Sequence, residues 1–326
     1  MRDRFQRQIN YLRISVTDRC NLRCVYCMPP EGVEVIPHHE ILSIEEILAV
    51  VKAGVRVGIK KVRLTGGEPL VRRGILDLIA GLRDIPEIDD IAVTTNGILL
   101  REMATDLKAA GVNRVNISLD TLKPDRFRRI TRGGDLSRVW CGINAALETG
   151  MSPVKINTVA IRGFNDDELV DLARLTLDHP LHVRFIELMP VGASDAWAGG
   201  KFVATGEVRE LLTRNLGNLV DEKKVPGNGP ARYSRLPGAN GTVGFISAVS
   251  NHFCAECNRL RLTSTGQLRP CLFNRRETDL KQALRSGAGP DELAQIFREA
   301  VMNKPDGHDL AAGWQRDDRV MSQIGG

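Results

Sequence analysis

Six of the seven cysteines in this 326-residue chain fall into two tight groups. The first group is Cys20, Cys24 and Cys27, and the second is Cys254, Cys257 and Cys271. An odd and small number of cysteines does not fit a secreted disulfide scaffold, whereas clustered thiols bind metal ions or iron–sulfur clusters. The spacing therefore predicts two metal-binding groups that are far apart in the chain.

Two kinds of metal site fit these groups. A structural zinc site usually has four ligands in two close pairs, and each group supplies only three cysteines. His252 lies near Cys254 in the sequence, but a neighbouring histidine at this spacing also arises by chance. Three thiolates can instead hold a four-iron cluster whose fourth iron stays open for another molecule. From spacing alone, zinc and iron–sulfur are equally good interpretations.

Strand and helix patterns alternate through residues 11–188. Alternating apolar residues and short apolar runs predict strands at 11–17, 61–65, 91–95, 114–119, 154–159 and 183–188. Amphipathic periodicity and capping residues predict helices from Ser43 to about Gly58, at 75–83, 100–110 and 136–149, and from Asn165 to about Leu177. Six strand–helix units in this order predict a parallel sheet covered by helices, as a barrel or a doubly wound sheet.

Small, polar or glycine-rich residues follow every predicted strand. After the first strand comes the first cysteine group, and the later segments are 65–69, 94–97, 118–120, 157–158 and 187–189. Each segment alone is typical of a turn. Because the carboxyl ends of parallel strands form the active site in such folds, the six segments together predict one site around the first cysteine group.

Residues 225–326 differ from the preceding part of the chain in their sequence pattern. Glycine and proline recur at 226–230 and 237–241, and one short helix is predicted around 291–302. We therefore expect a boundary near residue 224. The unit at 1–224 would carry the first cysteine group, and the C-terminal region at 225–326 would carry the second.

The overall composition argues against several classes of protein. The chain has 45 Lys and Arg against 40 Asp and Glu, a net charge of +5, and 42% hydrophobic residues, which is typical of a globular fold. Aromatic residues make up only 5%, which does not favour a nucleic-acid surface. No apolar run reaches the ~18 residues of a membrane span, and the first residues have no signal-peptide segment, so we expect a cytoplasmic protein.

The first cysteine group resembles the signature of the radical S-adenosylmethionine (SAM) enzymes. Its spacing is Cys20-x3-Cys24-x2-Cys27, with Tyr26 just before the last cysteine. The segment 66–69, Gly-Gly-Glu-Pro, is similar to the second hallmark of that superfamily, which meets the amino group of SAM. The resemblance implies a 4Fe-4S cluster whose open iron binds SAM.

The second cysteine group resembles one family within that superfamily, the GTP 3′,8-cyclases of molybdenum cofactor biosynthesis. Thirteen residues separate Cys257 from Cys271, beginning with Asn-Arg-Leu-Arg at 258–261, and the chain ends in Gly325 and Gly326. The match covers essentially the whole chain. It implies an α/β fold with an incomplete (β/α)6-type TIM barrel at 1–224, whose lateral opening is covered by the smaller C-terminal region.

The family resemblance also implies a radical reaction on GTP. The cofactors would be SAM and two 4Fe-4S clusters, the second of which binds the guanine base. A 5′-deoxyadenosyl radical would remove the hydrogen of ribose C3′, and C3′ would then bond to C8 of the purine. The product, 3′,8-cyclo-GTP, is the precursor of cyclic pyranopterin monophosphate.

Residue roles carry over by position in the motifs. The implied cluster ligands are Cys20, Cys24, Cys27, Cys254, Cys257 and Cys271. The implied SAM contacts are Tyr26, Gly67, Ser118 and Met189. The implied GTP contacts are Arg13, Lys61, Arg63, Thr94, Lys155, Arg184, Arg259, Leu260 and Arg261. The final Gly325 and Gly326 would enter the active site as catalytic residues, because glycine allows close approach to substrate.

The resemblance further implies which molecules the chain works with. The partners would be GTP as substrate, an external electron donor, and a cyclic pyranopterin monophosphate synthase that acts on the product. A homodimer is compatible with it, while nucleic acid and membrane are not expected. Two alternatives stay open, namely a peptide-modifying radical SAM enzyme with an auxiliary cluster and a zinc-containing nucleic-acid-binding protein. Cys141 matches no motif, and we expect it in a helix as a small core residue.

Overall fold

Twelve strands and nine α-helices occur in the residues that the structure describes. This computed structural model describes residues 1–190, 200–223, 225–227, 229–274, 276–308, 319 and 321–324. The strands are β1 (Tyr11–Ser15), β2 (Lys61–Thr65), β3 (Asp90–Thr95), β4 (Arg114–Ser118), β5 (Val154–Ala160), β6 (Leu181–Glu187), β7 (Val220–Glu222), β8 (Arg232–Arg235), β9 (Thr242–Ile246), β10 (Arg259–Leu262), β11 (Gln267–Arg269) and β12 (Thr278–Asp279). The helices are α1 (Ile44–Val55), α2 (Ile75–Arg83), α3 (Leu100–Ala110), α4 (Pro124–Thr131), α5 (Leu136–Glu148), α6 (Leu169–Asp178), α7 (Thr205–Leu216), α8 (Leu280–Arg285) and α9 (Pro290–Met302).

All twelve strands belong to one sheet. Their order is β12-β11-β10-β1-β2-β3-β4-β5-β6-β9-β8-β7. The strands from β10 to β9 in this order run parallel, and the outer strands pair antiparallel with their neighbours. Strands β1 to β6 follow one another along the chain, while β9 and β10 extend the parallel set at its two margins. The predicted α/β fold with a parallel sheet is confirmed.

The two faces of the central strands carry different side chains. Leu12 and Val62 are register partners on β1 and β2, are fully buried, and belong to the hydrophobic core that the helices complete. Arg13 and Arg63 form the next register pair. Because successive side chains of a strand point to opposite faces, these two arginines lie on the face away from that core.

Local sequence signals place most helix starts. Ser43 caps α1 in a capping box, with the Glu46 N–H donating to Ser43 Oγ at 3.1 Å and the Ser43 N–H donating to Glu46 Oε2 at 2.8 Å. The predicted helices at 75–83 and 100–110 have the observed bounds of α2 and α3. The capping box thus fixes the start of α1 locally, whereas α2 and α3 have no side-chain cap and their bounds follow from their apolar periodicity.

Two helix predictions differ from the structure. Asn165 does not cap α6, which begins at Leu169. Its side chain instead donates to the carbonyl oxygens of Asp120 at 2.7 Å and Val159 at 2.8 Å. Helix α4 was not predicted, because it is short and only three of its residues, the last being Thr131, are buried.

Two composition-based expectations can be compared with the structure. None of the helices in the described part of the chain has the length and apolar composition that a membrane span requires. Cys141 lies in α5, as expected for a helical residue, but it is half-buried rather than part of the closed core.

Candidate active site

Both cysteine groups line one cavity of about 320 Å³. The cavity lies at the carboxyl ends of the parallel strands, where the sequence predicts a site. Besides the six cysteines, its lining includes residues within two positions of the ends of β2, β3, β4 and β6: Gly66, Gly67, Asn96, Asp120 and Met189. The structure thus brings together two groups of thiols that the sequence separates by more than two hundred residues.

The first cysteine group is a tight turn after β1. The N–H of Cys27 donates to the carbonyl oxygen of Cys24 at 2.9 Å, and the Leu22 N–H lies 3.4 Å from Cys20 Sγ as a donor. Burial, together with the neighbouring Cys20 and Asp120, raises the pKa of Cys27 to about 12, and burial raises that of Cys24 as well. Three adjacent, half-buried thiols with raised pKa values ionise readily only when a cation replaces their protons, as in a metal cluster.

The glycine pair after β2 packs directly against this turn. The Gly67 N–H donates to the carbonyl oxygen of Thr17 at 2.8 Å. A Cβ on Gly67 would lie 2.2 Å from the carbonyl oxygen of Arg19, and one on Gly66, whose φ is 154°, would lie 2.5 Å from that of Thr17. Only glycine fits both positions, so the second hallmark segment and the cysteine turn are built as one unit.

Glu68 ties that unit to the next strand. Its carboxylate accepts hydrogen bonds from Thr95 Oγ1 at 2.8 Å and from the Asn96 N–H at 2.7 Å. Burial raises the pKa of Glu68 to about 7, although these hydrogen bonds act to lower it. The loops after β2 and β3 are therefore held in one fixed relation on the cavity wall.

Asp120 lines the cavity but is not among the contact residues predicted from the sequence. Its carboxylate accepts a hydrogen bond from Tyr26 Oη at 2.5 Å and another from the Val159 N–H at 2.8 Å. Burial raises the pKa of Asp120 to about 6. The pairing fixes the ring of Tyr26, and the position of Asp120 at the end of β4 was the sequence signal that could have identified it.

A group of arginines lines the same cavity deeper in the sheet. Arg261, Arg13 and Arg63 are register neighbours on β10, β1 and β2, and Arg184 lies on β6. Burial, with repulsion from Arg114 and Arg184, lowers the pKa of Arg63 to about 10. Burial and Arg259 lower that of Arg261 to about 9. Within the described residues, neither Arg63 nor Arg184 has a carboxylate partner, so this group favours a polyanion.

Three of the predicted contact residues do not line this cavity. Lys155 on β5 lines an adjoining cavity of about 620 Å³, where its Nζ donates to the carbonyl oxygen of Pro226. Lys61 begins β2, and Leu260 on β10 is fully buried in the hydrophobic core. Thr94 and Ser118 do line the main cavity. Gly325 and Gly326 lie outside the described residues.

The second cysteine group sits beside two cations. Cys254 begins a single 3-10 turn, and the Cys257 N–H donates to its carbonyl oxygen at 3.1 Å. Burial raises the pKa of Cys257, but Arg259 and Lys304 outweigh this and bring it down to about 6. One thiol of this group is therefore poised as a thiolate before any metal binds.

Arg7 and Lys304 form hydrogen bonds to the backbone around the second cysteine group. Lys304 is buried and donates to the carbonyl oxygens of Arg259 at 2.9 Å and Pro270 at 2.6 Å. Arg7 donates to the carbonyl oxygen of Cys254 at 2.8 Å. Sequence reasoning missed both residues, because their partners are dozens to hundreds of residues away and no local pattern marks them.

Comparisons with known proteins agree with this geometry. A model described as the Radical SAM superfamily matches residues 14–176, which is half of the chain, and one described as Molybdenum Cofactor Synthesis C matches residues 181–310. A GTP 3′,8-cyclase of Pelotomaculum thermopropionicum is 60% identical over 326 residues, and one of Desulforamulus reducens is 58% identical, each with 100% of both chains covered. The chain belongs to the GTP 3′,8-cyclase family. The resemblance expected from the motifs is confirmed.

Solved structures support the family fold. SuiB of Streptococcus suis bound to precursor peptide SuiA has a TM-score of 0.61 and 16% identity, covering 90% of this chain and 67% of that one. SuiB bound to S-adenosylmethionine has a TM-score of 0.60, also at 16% identity, with 89% and 68% covered. This likeness concerns the fold alone. Radical SAM enzymes, and hence this GTP 3′,8-cyclase family, use SAM and a 4Fe-4S cluster, and the three clustered free thiols after β1 fit that cluster.

Proposed function

We propose that this chain is a GTP 3′,8-cyclase that joins ribose C3′ of GTP to C8 of its purine and so makes 3′,8-cyclo-GTP, the precursor of cyclic pyranopterin monophosphate. One observation carries the proposal: two groups of three thiols and four arginines, three of them buried, line a single cavity. A radical generator, a second cluster and a polyanion site are the three parts that this reaction needs. The peptide-modifying alternative gives no account of the arginines.

The first cysteine group and its wall are proposed as the SAM site. When bound, the 4Fe-4S cluster on Cys20, Cys24 and Cys27 together with SAM supplies the radical that removes the C3′ hydrogen. The chain's own residues position the cofactor and exclude water. Tyr26, held by Asp120, and the side-chain-free Gly67 form one wall, and Ser118 and Met189 complete the proposed contacts.

The second cysteine group is proposed as the site of a second 4Fe-4S cluster, which would bind the guanine base. Cys254, Cys257 and Cys271 line the same cavity as the proposed SAM site, but they belong to the region 225–326. Arg259 and Lys304 stabilise thiolate at Cys257 and thereby favour metal binding there. The region 1–224 would act as the partial barrel, and β9 and β10 would add the C-terminal region to its two margins.

The arginines are proposed to hold the triphosphate. Arg forks match phosphate oxygens bidentately, and the buried Arg63 and Arg184, which have no carboxylate partner in the described residues, gain most from an anion. Arg13, Arg63, Arg184 and Arg261 line the cavity, and Arg259, Thr94 and Lys155 lie next to them on neighbouring strands. Lys61 and Leu260 stay in the proposal on the family resemblance, Leu260 through its backbone, since its side chain is in the core.

The remaining partners follow from the chemistry. An external electron donor is needed to start each turnover, and the unstable product calls for a cyclic pyranopterin monophosphate synthase. The terminal Gly325 and Gly326 are proposed to reach the active site. Free thiols fit a reducing compartment such as the cytoplasm, and a homodimer is compatible with the proposal.

Incubation with GTP, SAM and a reductant without oxygen tests the proposed function. We expect 5′-deoxyadenosine together with a cyclised GTP, and about eight irons per chain, as two four-iron clusters require. Cys24→Ala should abolish SAM cleavage. Arg261→Ala should weaken GTP use while leaving the first cluster in place. Formation of 5′-deoxyadenosine at the same rate without GTP would contradict the substrate assignment, and one or two zinc ions without iron would contradict the clusters.

A further inference from the structure

Two histidines to which the proposed cyclisation gives no role lie beside Cys254. The ligand atoms of His252, Cys254 and His308 all lie within 4.8 Å of one another. The ring centroids of the two histidines are 4.8 Å apart, and Phe273 packs on the ring of His308 at the same distance. This is the spacing of residues that share one metal ion.

A hydrogen bond decides which nitrogen of His308 can bind a metal. Nε2 lies 2.9 Å from the carbonyl oxygen of Ala248, which only accepts, so Nε2 carries the proton. Nδ1 then keeps its lone pair, and this buried atom has no hydrogen-bond partner in the described part of the chain. Metal-binding histidines usually donate their other N–H to a carbonyl or carboxylate in this way, which fixes the ring.

The thiol of Cys254 is also held close to the histidines by neighbouring backbone. The backbone N–H of His308 donates to the sulfur of Cys254. A Cβ on Gly307 would lie 3.8 Å from both Cys254 Cβ and His252 Cε1, so the chain passes close to both ligands. Residue 308 is thus held against Cys254 by its backbone and against Ala248 by its ring.

We propose that His252, Cys254 and His308 form a mononuclear site for a divalent cation of the zinc type, which competes with the second 4Fe-4S cluster for Cys254. One thiolate and two imidazoles are ligands that Zn²⁺ prefers, and a water molecule completes a tetrahedron. Because Cys254 cannot serve both, the ion occupies the site only in chains that lack the second cluster. The site therefore links zinc exposure to the loading of that cluster. The competition rests on the proposed second cluster, whereas binding of the ion by itself does not.

Cobalt(II) titration of the full-length protein tests this proposal, since tetrahedral Co²⁺ with a thiolate ligand is coloured. The protein is prepared anaerobically without iron and carries Cys20→Ser, Cys24→Ser and Cys27→Ser, so that the first group cannot bind the ion. We expect one equivalent of Co²⁺ with a sulfur-to-cobalt charge-transfer band, displaced by Zn²⁺. In this background, Cys254→Ser should remove the band.

The histidines distinguish this site from binding by three cysteines alone. His252→Ala changes an exposed side chain and should fold normally, and it should weaken Co²⁺ binding at least about tenfold, as should His308→Ala. His38→Ala, an exposed histidine in another segment, is the matched control and should bind Co²⁺ unchanged. Unchanged affinity and spectrum in the His252 variant, with binding lost in a Cys257→Ser and Cys271→Ser double variant, would overturn the proposal.

A second measurement connects the site to the cluster. Zn²⁺ added before reconstitution should cut the iron recovered by the second cysteine group to near zero in the background protein. It should do so much less after His252→Ala. If Zn²⁺ lowers the recovered iron equally in both proteins, competition at this site would also be contradicted.

Discussion

Glu187 and Ser250 are joined by two hydrogen bonds, although 63 residues separate them. The Ser250 N–H donates to Glu187 Oε2 at 2.9 Å, and the Ser250 hydroxyl donates to Oε1. The same buried carboxylate accepts from the N–H groups of Thr205 at 3.0 Å and Val249 at 2.8 Å. One side chain at the end of β6 thus holds the start of α7 and the segment that leads to the second cysteine group.

Replacing Glu187 by Gln should destabilise the fold and loosen the second cysteine group. An amide nitrogen would face N–H donors, and hydrogen bonds to a buried charge are worth more than neutral ones, so the free energy of unfolding should fall by about 3 kcal/mol. Iron content should drop from about eight towards about four per chain. Glu207→Gln, an exposed carboxylate of α7, is the control and should cost less than about 1 kcal/mol. Full iron content in the Glu187 variant would disprove the link.

Arg63→Met should stabilise the GTP-free protein while weakening GTP binding. Arg63 is buried near Arg114 and Arg184, and apolar replacement of a buried charge is neutral or stabilising, by about 1–4 kcal/mol. Loss of a charge-assisted contact should raise the Kd for GTP by about 10–100-fold. Thermal denaturation and equilibrium binding without SAM measure the two effects.

Arg114→Met is the matched control for that experiment. Arg114 is also buried, but it forms an ion pair with Asp90. Removing it leaves an uncompensated carboxylate, so the protein should lose about 3–5 kcal/mol of stability. If both variants destabilise equally, the arginine group does not carry the repulsion that we assign to it.

Lys155 should make GTP binding depend on pH. Burial, with Arg184, Arg114 and Arg63, lowers the pKa of Lys155 to about 6, so its amine is mostly neutral at pH 7 in the free protein. A bound triphosphate favours the charged form, and GTP binding should then take up a proton. Affinity should fall as pH rises above about 6, by up to about tenfold per pH unit.

Lys155→Arg separates this effect from the titration of GTP itself. Arginine keeps its charge throughout this range, so the pH dependence assigned to the lysine should vanish. The titration of the γ-phosphate is common to both proteins and cancels in the comparison. Calorimetry in buffers of different ionisation enthalpy should show more proton uptake in the parent than in the variant, whose proton exchange reflects the γ-phosphate alone. Identical profiles would exclude Lys155 from the binding linkage.

Removal of Gly325 and Gly326 should lower turnover without affecting cofactor loading. If the tail contacts substrate, its loss misplaces reacting groups, and the rate of cyclised GTP formation should fall about tenfold or more. Iron content and GTP affinity should stay at parent values. An extension of the tail by two alanines is the companion variant, and it should impair turnover as well. Parent activity in the truncated chain would contradict a catalytic tail.

The sequence predicted the elements whose signals are local. The capping box of Ser43 and Glu46 gave α1, and the apolar run of β2 gave its observed bounds, Lys61–Thr65. The strand-end rule also placed the rim of the cavity, since it depends only on strand direction. Asn165 failed as a cap because its amide is used by Asp120 and Val159 across the loop after β5.

Contacts between distant segments could not be predicted in the same way. Nothing near Arg7 indicates that it donates to the carbonyl oxygen of Cys254, 247 residues later. Likewise, the pairing of β10 with β1 depends on the assembly of the whole sheet. No residue of Arg259–Leu262 indicates from its type which strand will lie beside it. The family resemblance supplied the proposed roles of the cysteines and arginines, and the geometry of the cavity added Asp120.

The placement of β9 and β10 at the two margins of the parallel strands has a consequence for biogenesis. While the chain is still being synthesised, β1 and β6 emerge with unpaired edges, because their partners lie near residues 260 and 245. Exposed edges of this kind invite association with other chains. The edges of β1 and β6 therefore stay unpaired until the last hundred residues have been synthesised. Ribosome stalling before residue 262 should leave a product that chaperones retain.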